Sequence, residues 1–239
     1  MSSDLHAASF GSAAEAYQRG RPPYPAEAVA WAVPPQARRV LDLGAGTGKL
    51  TRALLDAGFA VDAVEPSPQM RDQLAVCAGQ ASIFEGTGES VPLPDASVDA
   101  VVCAQAWHWV DPARAVPEMA RVLRPGGTLS LIWNVRDHTE PWVAALDGVL
   151  HRHTRDEIDT APRIGGPFGD PERAEFRWRH TLDRTELQDM VASRSYVILL
   201  SEPDRRALLD SVLDLLDRHG LGERFELPYV TRCTRARLR

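Results

Sequence analysis

The chain has 239 residues, long enough for one large α/β domain or a domain with an insertion, and its 44% hydrophobic and 25% charged content is that of a folded globular protein. Its formal charge of −6 provides no global positive field for nucleic acid, and its three separated cysteines (Cys77, Cys103, Cys233), without a C-x-x-C pair, argue against a disulfide framework or a paired-cysteine metal site and fit a reducing cytoplasm. No apolar run is long enough to span a membrane, and Met-Ser-Ser-Asp-Leu-His lacks the basic start and apolar run of a signal peptide.

In chain order, Ser12 to Tyr17 reads as a short helix, with Ser12 at the N-cap and Glu15 three residues on. Arg21-Pro22-Pro23-Tyr24-Pro25 must be extended, because each proline restricts the residue before it. Pro25 opens a helix through Trp31, which Pro34-Pro35 ends. Strands are then expected at 39–43, 60–64, 81–85, 98–104 and 128–133, and helices at 49–57, from Pro68 to about Cys77, and from Pro112 to Leu123, the last stopped by Arg124-Pro125-Gly126-Gly127. This strict alternation with short connections implies a parallel sheet with helices on both faces. After Asn134 the rhythm changes. Helices are expected over 140–153, 185–200 and 204–219, with strands over 174–182 and 225–235. The C-terminal arginines Arg232, Arg235, Arg237 and Arg239 read as a solvated tail.

The stretch with the clearest chemistry is Val40-Leu41-Asp42-Leu43-Gly44-Ala45-Gly46-Thr47-Gly48-Lys49-Leu50: a strand, a glycine turn, then a helix. Glycines permit positive φ and a close approach of backbone to a ligand. Two phosphate-binding readings fail on position. A dinucleotide fingerprint needs G-x-G-x-x-G, and Lys49 stands where its third glycine would be; a P-loop needs Ser or Thr after the lysine, and Leu50 stands there. Glu65, seventeen residues past Gly48, ends the second strand. A carboxylate there suits the two hydroxyls of an adenosyl ribose, against the plainer reading of a solvated turn residue.

Together, Val40 to Leu50, Val64-Glu65-Pro66, Gly86 to Asp95 and Arg121-Val122-Leu123-Arg124-Pro125-Gly126-Gly127 resemble the successive motifs of class I S-adenosylmethionine-dependent methyltransferases. The resemblance covers roughly residues 38–133. Phe10 to Pro25 and Gln105-Ala106-Trp107-His108-Trp109 are similar to the small-molecule branch that includes trans-aconitate methyltransferase-like proteins, as is Phe225 to Tyr229. The resemblance implies an α/β, Rossmann-like seven-stranded sheet with helices on both faces and the last strand antiparallel. It also implies an N-terminal arm or lid over residues 1–35, a methyltransferase domain over 36–239, and a partly helical cover over 135–222.

The resemblance places S-adenosyl-L-methionine against Gly44, Ala45 and Gly46, with Glu65 at the ribose, Pro66 beside the adenine, and Thr87, Gly88 and Glu89 at the adenine edge. Many members carry Asp at about Gly86 or Thr87; this sequence does not, so backbone groups or Glu89 inherit that contact. Glu89 has the alternative of an ordinary surface acid. Gln105 matches the position that closes on the methionine moiety, and Tyr17 and Arg21 fold over the cofactor or, for Arg21, meet an acidic substrate; packing of the arm on the sheet edge is the other reading. Asp42 either orients the turn or meets the cofactor's ammonium. Met70 is at core spacing. His108 is the candidate catalytic base, against a structural role within its aromatic pair. No metal is implied. The expected activity is methyl transfer to a carboxylate or hydroxyl oxygen of a small molecule by a cytoplasmic monomer or homodimer without nucleic-acid or membrane partners. The alternatives are a cofactor-binding protein without catalysis and a macromolecule methyltransferase.

Overall fold

The structure is a computed structural model that describes residues 21–150 and 164–239. The expected helix over 12–17, and Tyr17 with it, lies outside the described residues. Seven strands form one sheet in the order β3-β2-β1-β4-β5-β7-β6. They are β1 (Arg39–Leu43), β2 (Ala60–Val64), β3 (Ser82–Phe84), β4 (Val98–Ala104), β5 (Leu123–Arg136), β6 (Glu172–Asp183) and β7 (Arg224–Arg237). The first five are parallel, and the last is antiparallel. The helices are α1 (Ala26–Ala32), α2 (Lys49–Asp56), α3 (Pro68–Ala78), α4 (Pro112–Val122), α5 (Pro141–Leu150), α6 (Arg184–Ala192), α7 (Ser195–Ile198) and α8 (Glu202–Arg218).

By its internal packing the described chain divides into two units: 23–134 with 164–176 and 231–239, and 21–22 with 135–150 and 177–230. In the first unit the inner strands are apolar almost throughout, as burial on both faces requires. Val40, Leu50, Leu54, Val61, Ala100, Val102 and Ile132 form a core with Val29 and Ala32 of α1. In the second unit, Trp142, Leu146, Leu187, Val191, Val212, Leu215 and Leu227 form a separate core. Among the described residues no helix is long and apolar enough to cross a membrane.

Three expectations are corrected. Arg124-Pro125-Gly126-Gly127 does not merely stop α4. The chain enters β5 at once at Leu123, and the register then jumps from Val98↔Leu123 to Ala100↔Thr128, so these four residues bulge from the strand. Gly126 has φ +77°, and a Cβ on Gly127 would lie 2.9 Å from the carbonyl oxygens of Arg124 and Asp99. Second, the single helix expected over 185–200 is two. The buried Ser193 donates its hydroxyl to the Met190 carbonyl at 2.9 Å, and Arg194 is extended at φ −74°, ψ 136°, which ends α6 before α7 begins.

The third correction concerns the C-terminal arginines, which are structural. Arg235 donates to the Trp31 carbonyl at 2.7 Å and to Glu172 at 2.6 Å, and its guanidinium lies 4.5 Å from the Trp31 ring centroid. Arg232 pairs with Glu175, and Arg237 donates to the Gly126 carbonyl. β7 extends to residue 237 and so carries them within the sheet.

Arg121 explains the signature that follows α4. It donates to the carbonyls of Val91 and Leu93 at 2.9 Å and pairs with Glu118 and Asp95, which fastens the loop after β3 to α4. Glu118 first, then Asp95, holds its pKa above the ordinary arginine value. Arg121→Met is expected to lower stability by about 2 kcal/mol, because two carbonyls and Glu118 lose their donor. An unchanged urea midpoint would refute this role.

Candidate functional site

The register of the parallel ladders brings three strand ends level. Leu43 pairs with Val64, and Asp42 pairs with both Ala63 and Val102. The residues that follow these strands, Gly44, Glu65 and Gln105, therefore emerge at one edge, where the strand order reverses between β1 and β4. That is the customary ligand crevice of an open α/β sheet.

The glycine turn is built as its sequence demands. Gly44, Gly46 and Gly48 have φ of +69°, +57° and +93°. The amides of Gly44 and Ala45 both donate to the Val64 carbonyl, at 2.8 and 3.1 Å. A Cβ on Gly44 would sit 2.7 Å from the Ala106 Cβ, and one on Gly48 equally close to Leu74. A Cβ on Gly46 would meet nothing within 4 Å. Gly44 and Gly48 thus serve packing as well as backbone conformation, while Gly46 faces open space.

Glu65 is 7% exposed and spans the turn and the next helix. Its Oε2 accepts from the Gly46 amide and its Oε1 from the Ser67 amide, each at 2.9 Å. Each carboxylate oxygen retains acceptor capacity beyond one backbone donor. Ser67 then caps α3, accepting from the Met70 amide at 3.4 Å. Arg71, which the sequence reading did not single out, donates to the carbonyls of Glu65 and Pro66 at 2.9 and 2.8 Å and pairs with Glu85. No sequence signal marks it, because two of its three partners are main-chain atoms. Pro66 is exposed and Met70 half-buried.

In the loop after β3, the amides and carbonyls of Thr87 and Ser90 exchange bonds at 3.2 Å. Gly88 is buried, and a Cβ there would lie 2.6 Å from Val110. Glu89 accepts from the Asp111 amide at 2.7 Å, and this bond chiefly holds its carboxyl below the usual range. It therefore ties the loop to the start of α4 rather than standing as a plain surface acid. Gln105 has φ +57°, uncommon and strained for a residue with a Cβ, and its side-chain amide donates to the Asn134 carbonyl at 3.2 Å. His108 sits on a single 3-10 turn (Trp107–Trp109), exposed, with its ring centroid 4.7 Å from that of Trp109. Partial burial lowers its pKa from the ordinary histidine value, which favours the neutral imidazole. The structure thus gathers Gly44, Ala45, Gly46, Glu65, Gln105 and the loop of Thr87, Gly88 and Glu89 within the first unit. Arg21 belongs to the second unit, among the charged neighbours of Arg194 and Tyr229.

Asp42 is 1% exposed, and its Oδ2 accepts from the Thr51 hydroxyl at 2.6 Å, so it orients the first turn of α2. Desolvation pushes its carboxyl up to about 7; the Thr51 bond opposes this and the neighbouring Glu65 adds to it. The raised value favours the protonated folded form. The stability this gives is full below pH 3.8 and is lost as pH rises through about 7. Asp42→Asn keeps an acceptor for Thr51 without the charge. Relative to the parent, the variant is expected to gain stability as pH rises from about 4 to about 7. A pH-independent difference between the two urea curves would refute this.

Comparison with known proteins matches this arrangement. A family model described as a methyltransferase domain fits residues 41–131. The chain is 51% identical over 233 residues to an uncharacterized methyltransferase of Mycobacterium tuberculosis (strain H37Rv), covering 96% of each chain. It is 30% identical over 249 residues to a methyltransferase-like protein of Schizosaccharomyces pombe, covering 97% of this chain and 96% of that one. A solved structure from Anaeromyxobacter dehalogenans, described as a type II methyltransferase, superposes with a TM-score of 0.67 at 25% identity over 91% of this chain and 97% of its own. With the glycine turn, the acidic end of β2 and the seven-stranded order, these likenesses establish that the chain belongs to the class I S-adenosylmethionine-dependent methyltransferases.

Proposed function

We propose that the protein transfers a methyl group from S-adenosyl-L-methionine to a carboxylate or hydroxyl oxygen of a small molecule. The family implies the donor, and the residues present suit it. The observation that carries the reading is the buried Glu65 carboxylate, held by the Gly46 and Ser67 amides beside a left-handed glycine that opens onto free space. When bound, the donor supplies an activated methyl group on a sulfonium, so no covalent protein nucleophile is required. Gly44, Ala45 and Gly46 let the amino-acid end and ribose approach the backbone. Glu65 accepts the ribose hydroxyls, Pro66 borders the adenine, and Thr87, Gly88 and Glu89 form its edge. Gln105 closes on the methionine end.

The work left to the protein is alignment of the acceptor oxygen and exclusion of water, and orientation of this kind supplies much of the rate in such transfers. A carboxylate acceptor needs no base. A phenol or alcohol does, and neutral His108 accepts its proton in that case. The small-molecule, nucleic-acid-free reading draws its support from the net charge of −6. It includes a monomer or homodimer that works in the cytoplasm.

S-Adenosylhomocysteine is expected to bind the protein in calorimetry, and Glu65→Ala to weaken it by about tenfold or more. No binding by the parent protein would sink the cofactor assignments. A screen of acidic and phenolic metabolites with labelled donor identifies the acceptor; binding without transfer to any of them would favour a non-catalytic cofactor-binding protein. With a hydroxyl acceptor, His108→Ala is expected to lower kcat by roughly 10²-fold or more while leaving S-adenosylhomocysteine affinity intact. Unchanged turnover would remove His108 from the catalytic residues.

A further inference from the structure

Among the described residues of the second unit, two arginines near one another are not equally matched by carboxylates. Arg136, at the end of β5, has a side chain only 8% exposed and pairs with Asp147 of α5. His138 binds the other oxygen of the same carboxylate. Asp147 is thereby occupied on both oxygens. Arg194, at the break between α6 and α7, has no such partner. Its Nε is sealed from solvent without a hydrogen-bond acceptor, and no acidic side chain among the described residues pairs with it. The hydroxyl of Tyr196, beside it, is likewise buried without a hydrogen-bond partner. Tyr229 does not serve as an acceptor for the guanidinium: it donates to the Met190 sulfur at 3.4 Å and stacks on Trp178 at 5.3 Å. Desolvation, reinforced by the charges of Arg136 and Arg21, pushes Arg194 down to about 10.

A guanidinium Nε and a phenol hydroxyl that are sealed from solvent near one another, neither with a hydrogen-bond partner, are costly unless something supplies an acceptor. A carboxylate supplies it with the matching planar geometry, and arginine is the residue best suited to grip it in a bidentate way.

We propose that Arg194 and Tyr196, with Arg136 behind them, form a binding site for the carboxylate of a small organic acid. Arg194 provides the fork, Tyr196 the additional donor, and Arg136, fixed by Asp147, the background field that favours an anion.

The test uses the full-length protein with succinate and its uncharged analogue succinamide, each with and without saturating S-adenosylhomocysteine. Millimolar succinate is expected to raise the melting temperature in both conditions, and succinamide to leave it unchanged. Arg194→Met is expected to abolish the response while melting no lower than the parent, because a desolvated charge without an acceptor is removed. Tyr196→Phe, which keeps the ring and its packing, is expected to weaken succinate by about tenfold. An absent response in the parent, or a response unchanged in both variants, would overturn the proposal. So would a response that vanishes once S-adenosylhomocysteine is bound, since the anion would then be the cofactor's own carboxylate. Calorimetry of S-adenosylhomocysteine on the same samples separates the two readings. Normal cofactor binding without a succinate response defeats the acid site alone, whereas absent cofactor binding defeats the methyltransferase assignment whatever succinate does.

Discussion

The Glu65 carboxylate is the constraint on which the cofactor side of the sheet depends. It lies 7% exposed at the end of β2, and its two oxygens hold one amide from the glycine turn after β1 and one from the cap of α3. Backbone donors are stiff, so this double attachment sets the turn, the strand end and the helix start relative to one another. The open left-handed Gly46 then has a fixed position rather than a loop's range of positions. A carboxylate with one anchor would leave that choice to solvent.

The neighbouring loops are fastened by the same means. Arg71 ties the end of β2 to Glu85 after β3, Arg121 ties the loop around Val91 and Leu93 to α4, and Glu89 ties it again at the Asp111 amide. At the opposite end of the strands, Asp99 accepts from the amides of Arg38 and Arg39 and pairs with Arg124. Parallel sheets leave the strand ends to loops that contribute little apolar burial. Charged side chains bonded to main-chain groups take over the ordering there, and exposed ion pairs alone would be too weak to do it.

Buried charge is treated differently in the two units. In the first, Asp42 meets a hydroxyl and escapes part of the desolvation cost by holding a proton more readily. In the second, arginine cannot readily shed its proton. The charge of Arg136 is met by Asp147, while no acidic side chain among the described residues pairs with Arg194. That contrast separates a structural polar contact from a cluster suited to an external anion.

The sequence by itself determined the first four strands to within one residue at either end, the glycine turn with its positive φ, and the place of Glu65 at a strand end. These are local facts: apolar runs, glycine spacing and the position of one acid fix them before any tertiary contact forms. It also determined the family, because motifs over 38–133 occur in a fixed order. Only the tertiary structure decided that the run at 124–127 bulges within β5, that the helix expected over 185–200 breaks at Arg194, and that the C-terminal arginines belong to a sheet strand. It alone paired Asp42 with Thr51, gave Arg121 its two carbonyls, and left Arg194 without a paired acid among the described residues. Each of these depends on partners far apart along the chain or on main-chain atoms, and neither kind of partner leaves a periodic or compositional trace in the sequence.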